Sequence, residues 1–353
     1  MEKSMTRRRF MGSMTAMGTI AAISPELYAM RESSTTLIKP PRLKRGDTIG
    51  IITPASGIVN SGDLREGIEN LESLGFKVKL GSHIRERRGY LAGGDEQRLI
   101  DLHTMFSDPE VNAIMTLRGG YGVMRILDRI DYKLIKANPK ILIGYSDITA
   151  LHLGIHALTG LVTFHGPMAT STFTAYTRHY FETTLMSNHE VGLIEHPDPG
   201  DTLHPTAHFN TLHGGKATGP LVGGNLTLMT ALLGTPFDCD TKEKIVFIEE
   251  VSEEPYAIDR MLTQLLLAQK LQHAAGIVID GCKKCGVSDY KPSFTNSLGV
   301  EEVFEDRLGD LAIPTVFGFS IGHIADKPTL PLGVQATLDA DKRTLCINES
   351  AVS

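Results

Sequence analysis

Short runs that are apolar on both faces, rich in isoleucine and valine, recur along this chain, and each leads into a turn bearing glycine or serine. Asp47-Thr-Ile-Gly-Ile-Ile-Thr53 is closed by Pro54. Val111-Asn-Ala-Ile-Met-Thr-Leu117 runs straight into Arg118-Gly-Gly-Tyr-Gly122. Lys140 to Ile143 leads into Gly144-Tyr-Ser-Asp147. A run with no polar face belongs to a strand covered on both sides, which is the habit of parallel sheets. Helical spacing fills the intervals: Asp63 to Leu74 places Leu64, Ile68, Leu71 and Leu74 on one side and stops at Gly75, Asp95 to Phe106 repeats the pattern, and Val123 to Ile130 is predicted helical. Phe76 to Leu80 alternates like a further strand. Strands and helices alternating every 30 residues or so predict an open α/β sheet. In such sheets ligands bind beyond the carboxyl ends of the strands. Thr53-Pro-Ala-Ser56, Arg118 to Gly122 and Gly144 to Asp147 all fall there.

From about Tyr180 to His213 the period is lost, and proline, histidine, aspartate and threonine gather. A second α/β unit follows. Gly219-Pro-Leu-Val-Gly-Gly-Asn225 leads into a helix from Leu226 to Leu233. Lys244 to Ile248 and Gly276 to Asp280 are predicted strands, with helices from Ile258 to Leu271 and Val300 to Leu308. Ile313 to Phe317 is a strand ending at Gly318-Phe-Ser-Ile-Gly-His323, and Pro331 to Leu338 with Thr344 to Ile347 close the unit as antiparallel strands. The expected organisation is a lead-in over 30–42, an N-terminal domain over 43–180, a linker or crossover over 181–217 and a smaller C-terminal domain over 218–353.

The first residues are of a different kind. Thr6-Arg-Arg-Arg-Phe-Met11 fits a twin-arginine pattern, and a modestly apolar run from Gly12 to Ile23 follows. That run falls short of the 20 or so residues needed to span a bilayer. Residues 1–29 are therefore read as a twin-arginine signal, with cleavage after Leu27-Tyr28-Ala29, export to the periplasm and no stable membrane insertion once it is removed. An unused signal would leave the protein cytoplasmic.

The formal net charge of −6 over 353 residues, with no basic block past the N-terminus, argues against a nucleic-acid partner. Four cysteines, Cys239, Cys282, Cys285 and Cys346, are not expected to carry a disulfide-dependent fold, because a twin-arginine substrate is exported already folded. Cys282-Lys-Lys-Cys285 has the spacing of a redox or zinc pair. It lacks a second Cys/His pair and reads as structural or incidental.

Ser146 stands where a strand turns sharply into a helix. Such a serine projects its hydroxyl above the sheet edge, with the amides of the next turn aimed at whatever it attacks. The plainer reading of Ser146-Asp147 is a helix N-cap, and Ile148 stands where a nucleophile elbow normally has its second glycine. A serine nucleophile needs a base, and the base an orienting group. Glu249 follows one predicted strand and His323 another. A surface carboxylate in the acidic run Glu249, Glu250, Glu253, Glu254, and an ordinary loop histidine, are the plainer readings of each.

Taken together and in order, Arg118 to Gly122, Ile143 to His152, Phe164-His-Gly-Pro-Met168, Gly223-Gly-Asn-Leu226, Phe247 to Glu253, Asp259-Arg-Met-Leu262 and Gly322-His323 resemble the LD-carboxypeptidase family of serine peptidases. That family includes muramoyltetrapeptide carboxypeptidases and microcin C immunity peptidases. The resemblance runs from about Leu43 to Ile347. It implies a flavodoxin-like or amidotransferase-like parallel-sheet N-terminal domain, a smaller C-terminal α/β domain, and a homodimer. It implies Ser146 as nucleophile, Glu249 as orienting carboxylate and His323 as base. The oxyanion would be held by backbone amides of Asp147 and of Gly119 or Gly120. Arg118, Tyr121, Asn225 and Arg260 are candidate substrate-binding residues. No metal or organic cofactor is implied. Glu250 stands where the family more often has aspartate. The implied activity is cleavage of an L-to-D peptide bond, releasing terminal D-alanine from a muropeptide tetrapeptide. A microcin C-type peptidase acting on aminoacyl-nucleotides and a non-catalytic periplasmic muropeptide-binding protein are the alternatives.

Overall fold

The computed structural model describes residues 25–33, 36–198, 209–288, 290 and 292–353. The chain builds two sheets. The first runs β1 (Thr48–Ile52), β2 (Lys77–Leu80), β3 (Ala113–Thr116), β4 (Ile141–Gly144) and β5 (Phe164–His165), side by side in the order β2-β1-β3-β4-β5 and parallel throughout. Order 2-1-3-4-5 is the flavodoxin-like winding, in which the chain reverses direction across the sheet between β1 and β3 and opens a crevice at their carboxyl ends. The fully buried residues of β3 and β4 explain why those runs carry no polar face. Helices α1 (Pro25–Ser33), α2 (Ser61–Ser73), α3 (Asp95–Ser107), α4 (Tyr132–Ala137), α5 (Thr149–Thr159) and α6 (Ala175–Met186) accompany this half.

The second sheet has the order β6-β14-β13-β8-β9-β10-β11-β7. Its centre is parallel: β8 (Lys216–Asn225), β9 (Ile245–Glu249), β10 (Gly276–Asp280) and β11 (Thr315–Phe319). β13 (Gln335–Asp339) and β14 (Thr344–Ile347) extend it as antiparallel strands, as expected. Helices α7 (Leu226–Ala231), α8 (Pro255–Leu267) and α9 (Val300–Leu308) complete the unit. The carboxyl ends of β9, β10 and β11 deliver Glu249, Asp280 and the loop to His323.

The structure departs from the sequence reading in four places. The stretch read as a linker contributes both edge strands of the second sheet, β6 (Gly192–Ile194) beside β14 and β7 (Asn210–His213) beside β11. The run from Pro331 to Leu338 is split at Gly333 (φ 88°), and β12 (Leu330–Pro331) pairs instead with β5, fastening the first sheet to the second unit. Val123 to Ile130 forms two short 3-10 turns rather than one helix, the Ile126 and Ile130 amides bonding three residues back to the Val123 and Leu127 carbonyls. Residues 25–33, read as signal and lead-in, are helical. Leu27 is buried, and Arg31 donates to the Thr235 carbonyl at 3.1 Å. The twin-arginine motif and the apolar run to Ile23 lie outside the described residues. Among the described residues no helix is long and apolar enough to cross a membrane. Side chains of both sheets join one continuous buried core.

Candidate active site

Ser146 is the first residue past the turn that ends β4, and its backbone is left-handed, with φ 66°. A residue with a side chain adopts that conformation at a cost of about 1–3 kcal/mol and keeps it only where its surroundings hold it there. The helix-cap reading is set aside by this geometry. Tyr145 occupies the cap position, with no side-chain cap bond, and α5 begins only at Thr149 after one 3-10 turn. The missing second glycine of the elbow is accounted for by Ile148, whose side chain is wholly buried.

The residue after the serine positions a neighbouring loop. The Asp147 carboxylate, 3% exposed, accepts the Val123 amide at 2.9 Å. Burial raises its pKa to about 6. Val123 closes the Gly119-to-Gly122 turn, which runs past Ser146. A Cβ placed on Gly119 would lie 3.1 Å from Ser146 Cβ and 3.3 Å from its Oγ, and one on Gly120 (φ 118°) would overlap Ser56 Oγ. Only glycine lets this backbone lie so close to the serine hydroxyl. Ser56 in turn accepts the Tyr121 amide at 3.1 Å.

Arg98 holds the two rim loops together. Sequence reasoning missed it, since nothing in a helical pattern marks one arginine as buried. Its guanidinium donates to the Pro54 carbonyl at 2.5 Å and the Gly122 carbonyl at 2.8 Å from one nitrogen, and to Asp95 at 2.5 Å from the other. Asp95 also accepts from Arg125 at 2.8 Å, and these cations lower its pKa, the Arg125 bond most.

From the second unit come Glu249 and His323. Glu249 is completely buried, and its Oε2 lies 2.7 Å from His323 Nδ1. A carboxylate can only accept, so His323 carries its proton on Nδ1 and turns Nε2 outward as a base. Glu250 is buried as well, with its carboxylate accepting from Asn225 Nδ2 (3.0 Å), the Thr227 amide (2.9 Å) and hydroxyl (2.8 Å), and the Val251 amide (2.9 Å). The surface-carboxylate reading of Glu249 and Glu250 is therefore replaced. Gly322 matters for a similar reason to Gly119: a Cβ there would overlap Asp280 Oδ2.

The imidazole of His323 packs edge-on against Tyr145 at 4.9 Å, and Lys327 Nζ sits over the Tyr145 ring, 5.0 Å from its centroid. Lys327 is 2% exposed, and burial lowers its pKa to about 8. His165 Nε2 donates to the Ile321 carbonyl at 2.7 Å, tying β5 to the His323 loop, and burial keeps this imidazole neutral. Tyr145 and His165 fall within motifs already noted in the sequence, whereas nothing there marked Lys327.

One cleft of about 450 Å³ collects Asp63, Glu66, Arg118, Gly119, Gly120, Ser146, Met168, Thr170 and His323. Arg118 thus stands in the cleft with the serine and histidine, its Nη1 3.4 Å from the Gly57 carbonyl. Tyr121 is exposed on the rim, edge-on to Tyr90 at 5.5 Å. Asn225 is elsewhere: it is buried, caps α7 through the Leu228 amide and holds Glu250. Arg260 lies on α8 over the Tyr256 ring at 5.7 Å, away from the cleft.

The chain as a whole is similar to known proteins. Residues 49–166 match the LD-carboxypeptidase N-terminal domain and residues 218–338 the LD-carboxypeptidase C-terminal domain. The chain belongs to the LD-carboxypeptidase family. That makes it a serine-type carboxypeptidase by kinship, in agreement with the resemblance carried by its motifs. A probable murein peptide carboxypeptidase of Bacillus subtilis (strain 168) is 42% identical over 325 residues, covering 89% of this chain and 95% of the relative. Among solved structures, an MccF-like protein from Bacillus anthracis shares 31% identity at a TM-score of 0.77, over 88% of this chain and 99% of that one. A muramoyltetrapeptide carboxypeptidase from Oxalobacter formigenes shares 29% at a TM-score of 0.72, over 86% of this chain and 98% of its own.

Proposed function

We propose that this LD-carboxypeptidase releases the terminal D-alanine of peptidoglycan tetrapeptides through a Ser146–His323–Glu249 triad. One observation carries the reading above the others. A serine in a left-handed elbow shares a cleft with a histidine that a fully buried glutamate orients. His323 Nε2 takes the Ser146 proton as Oγ attacks the scissile carbonyl carbon. The negative charge on the carbonyl oxygen is met by the backbone amides of Asp147 and of the Gly119-Gly120 turn, the arrangement that favours a charge appearing only in the transition state. The imidazolium then protonates the departing D-alanine nitrogen. Water, deprotonated by His323, attacks the ester and returns the proton to Ser146.

Arg118 is the cation of the cleft and is proposed to hold the terminal carboxylate that makes the enzyme a carboxypeptidase. Asp63 and Glu66 line the same cleft and suit an amine of the substrate. No metal or organic cofactor enters these steps. We further propose export through the twin-arginine segment and assembly as a homodimer. The structural kinship with an MccF-like protein supports a second reading, hydrolysis of aminoacyl-nucleotide conjugates.

A substrate panel separates the readings: a tetrapeptide ending in D-alanine, its L-alanine epimer, and an aminoacyl-sulfamoyl nucleoside, each followed by mass spectrometry. The proposal expects D-alanine loss from the first alone. Turnover of the nucleoside conjugate with an untouched tetrapeptide would transfer the assignment to the second reading. Tight binding of the tetrapeptide with no turnover would make the protein a binding module.

A further inference from the structure

Outside the cleft, the densest group of reactive side chains lies at the carboxyl end of β10. Asp280 ends that strand, 1% exposed, and its Oδ1 accepts the Cys282 amide at 2.6 Å. Cys282-Lys-Lys-Cys285 closes as a tight turn, with the Cys285 amide 3.1 Å from the Cys282 carbonyl and left-handed backbone at Cys282 (φ 47°) and Lys284 (φ 57°). The turn sets Cys282 and Cys285 at the two ends of one hydrogen-bonded loop, with the Cys282 amide held on Asp280. The neighbouring Cys282 lowers the Cys285 pKa, while the neighbouring Cys285, and then burial, raise that of Cys282. Cys282 is buried and Cys285 half-buried, and both line a cavity of about 370 Å³.

The turn is laced to the catalytic residues from two directions. Lys283 pairs with Val251, two residues past Glu249, and its carbonyl accepts the Ser252 amide at 3.0 Å. The Gly286 amide donates to the Glu253 carbonyl at 3.2 Å. On the other side Asp280 Oδ2 lies against Gly322, the residue before His323, with no room for a side chain between them.

We propose that Cys282 and Cys285 form a reversible thiol–disulfide site, reached by small disulfides through that cavity, and that its oxidation slows acyl transfer at Ser146 through Asp280 and Gly322. The Cys285 thiolate attacks one sulfur of a small disulfide, RSSR, and expels RS⁻. The Cys282 thiol loses its proton to solvent and attacks Cys285 Sγ, expelling the second RS⁻. Two protein thiols are oxidised and one disulfide is reduced to two thiols. Closing the bridge turns the Cys282 side chain and pulls on the amide that Asp280 Oδ1 accepts. The buried Asp280 carboxyl, set against Gly322, moves with that amide, and the His323 loop that rests on it shifts. This coupling extends the triad reading given above, whereas formation of the disulfide is measurable without it.

The full-length protein is equilibrated across oxidised and reduced glutathione mixtures, its free thiols are alkylated, and the pair is mapped by peptide mass. Ser146 labelling by a fluorophosphonate is then timed in each mixture. The expected result is a Cys282–Cys285 bridge that forms and reverses, with labelling about 10-fold slower in the bridged form, the scale of a sub-ångström misplacement. Cys285→Ser should label at the reduced wild-type rate in every mixture. Two alkylatable thiols under every condition, or a bridge that leaves the labelling rate unchanged, overturns the proposal. A reduced protein whose Ser146 resists the reagent overturns the coupling together with the triad, and the thiol map still reports whether the bridge forms.

Discussion

Ser146 keeps a left-handed backbone because the residues on either side are fixed: Tyr145 is wedged among His165, His323 and Lys327, and Asp147 is bonded to the glycine turn. The strain is thus set by its neighbours and is independent of the hydroxyl. Removing the hydroxyl is expected to spare the fold. Glu249→Gln should retain shape and fold while lowering kcat by roughly 10,000-fold, because an amide can present its N–H to His323 and reverse the imidazole tautomer. Steady-state kinetics beside a melting curve checks this, and a loss under about 10-fold would remove Glu249 from the triad. Gly119→Ala places a methyl 3.3 Å from Ser146 Oγ. It should cost about 100-fold in kcat with little change in unfolding free energy, on the scale of losing one oxyanion donor. At this scale the sequence was informative for residues tied to a turn or a strand end. Ser146, Glu249 and His323 all sit at such ends, and the structure brings Ser146 and His323 into one cleft. It was uninformative for Asn225 and Arg260. Their motifs are as distinct as the others, but burial against Glu250 and stacking on Tyr256 are tertiary facts.

At the scale of elements, the site depends on loops held by buried charge. Arg98 spans Pro54, Gly122 and Asp95, three groups in a fixed fork. Lysine offers a single ammonium and cannot reproduce it. Arg98→Lys should destabilise the protein by about 2–3 kcal/mol and lower kcat about 10-fold, with the Ser146 environment otherwise intact. Urea unfolding and kinetics test the two effects separately. Asp147 gives the protein a pH signature. The unfolded carboxyl titrates near 3.8 and the folded one near 6, so between these values the folded state holds the proton longer. Its contribution to stability is therefore largest below pH 3.8 and declines as pH rises through 6. Asp147→Asn, with no proton to lose, should show a flatter stability profile over that window in urea titrations at fixed pH. Parallel profiles would assign the slope to other groups. The strand and helix periods gave most elements within a few residues. What they could not give was β5, β12 or the edge strands β6 and β7, because two- to four-residue strands take their pairing from partners far along the chain, and helices α4 and α6 were also missed.

Across the whole molecule, the chain is two sheets with one core. β12 returns from the second unit to pair with β5, His165 bonds the Ile321 carbonyl, and the buried apolar cluster runs through both halves. Heating should therefore give one cooperative transition by calorimetry and far-UV dichroism together. Two resolved transitions would mean that the halves melt independently and that the core is less continuous than its packing indicates. The sequence implied two units from the change of pattern near residue 218, yet the fastening between them was hidden in the split at Gly333. Export is the remaining claim at this scale: Arg7→Lys/Arg8→Lys is expected to hold the protein in the cytoplasm, and unchanged fractionation would remove the twin-arginine reading. The central claim is that Ser146 performs the hydrolysis. Its most direct test is D-alanine release from a muropeptide tetrapeptide by the wild type and by Ser146→Ala of equal stability, followed by mass spectrometry. Release by the wild type and a loss of at least about 1,000-fold in the variant are expected; equal release by both would mean that Ser146 is not the nucleophile.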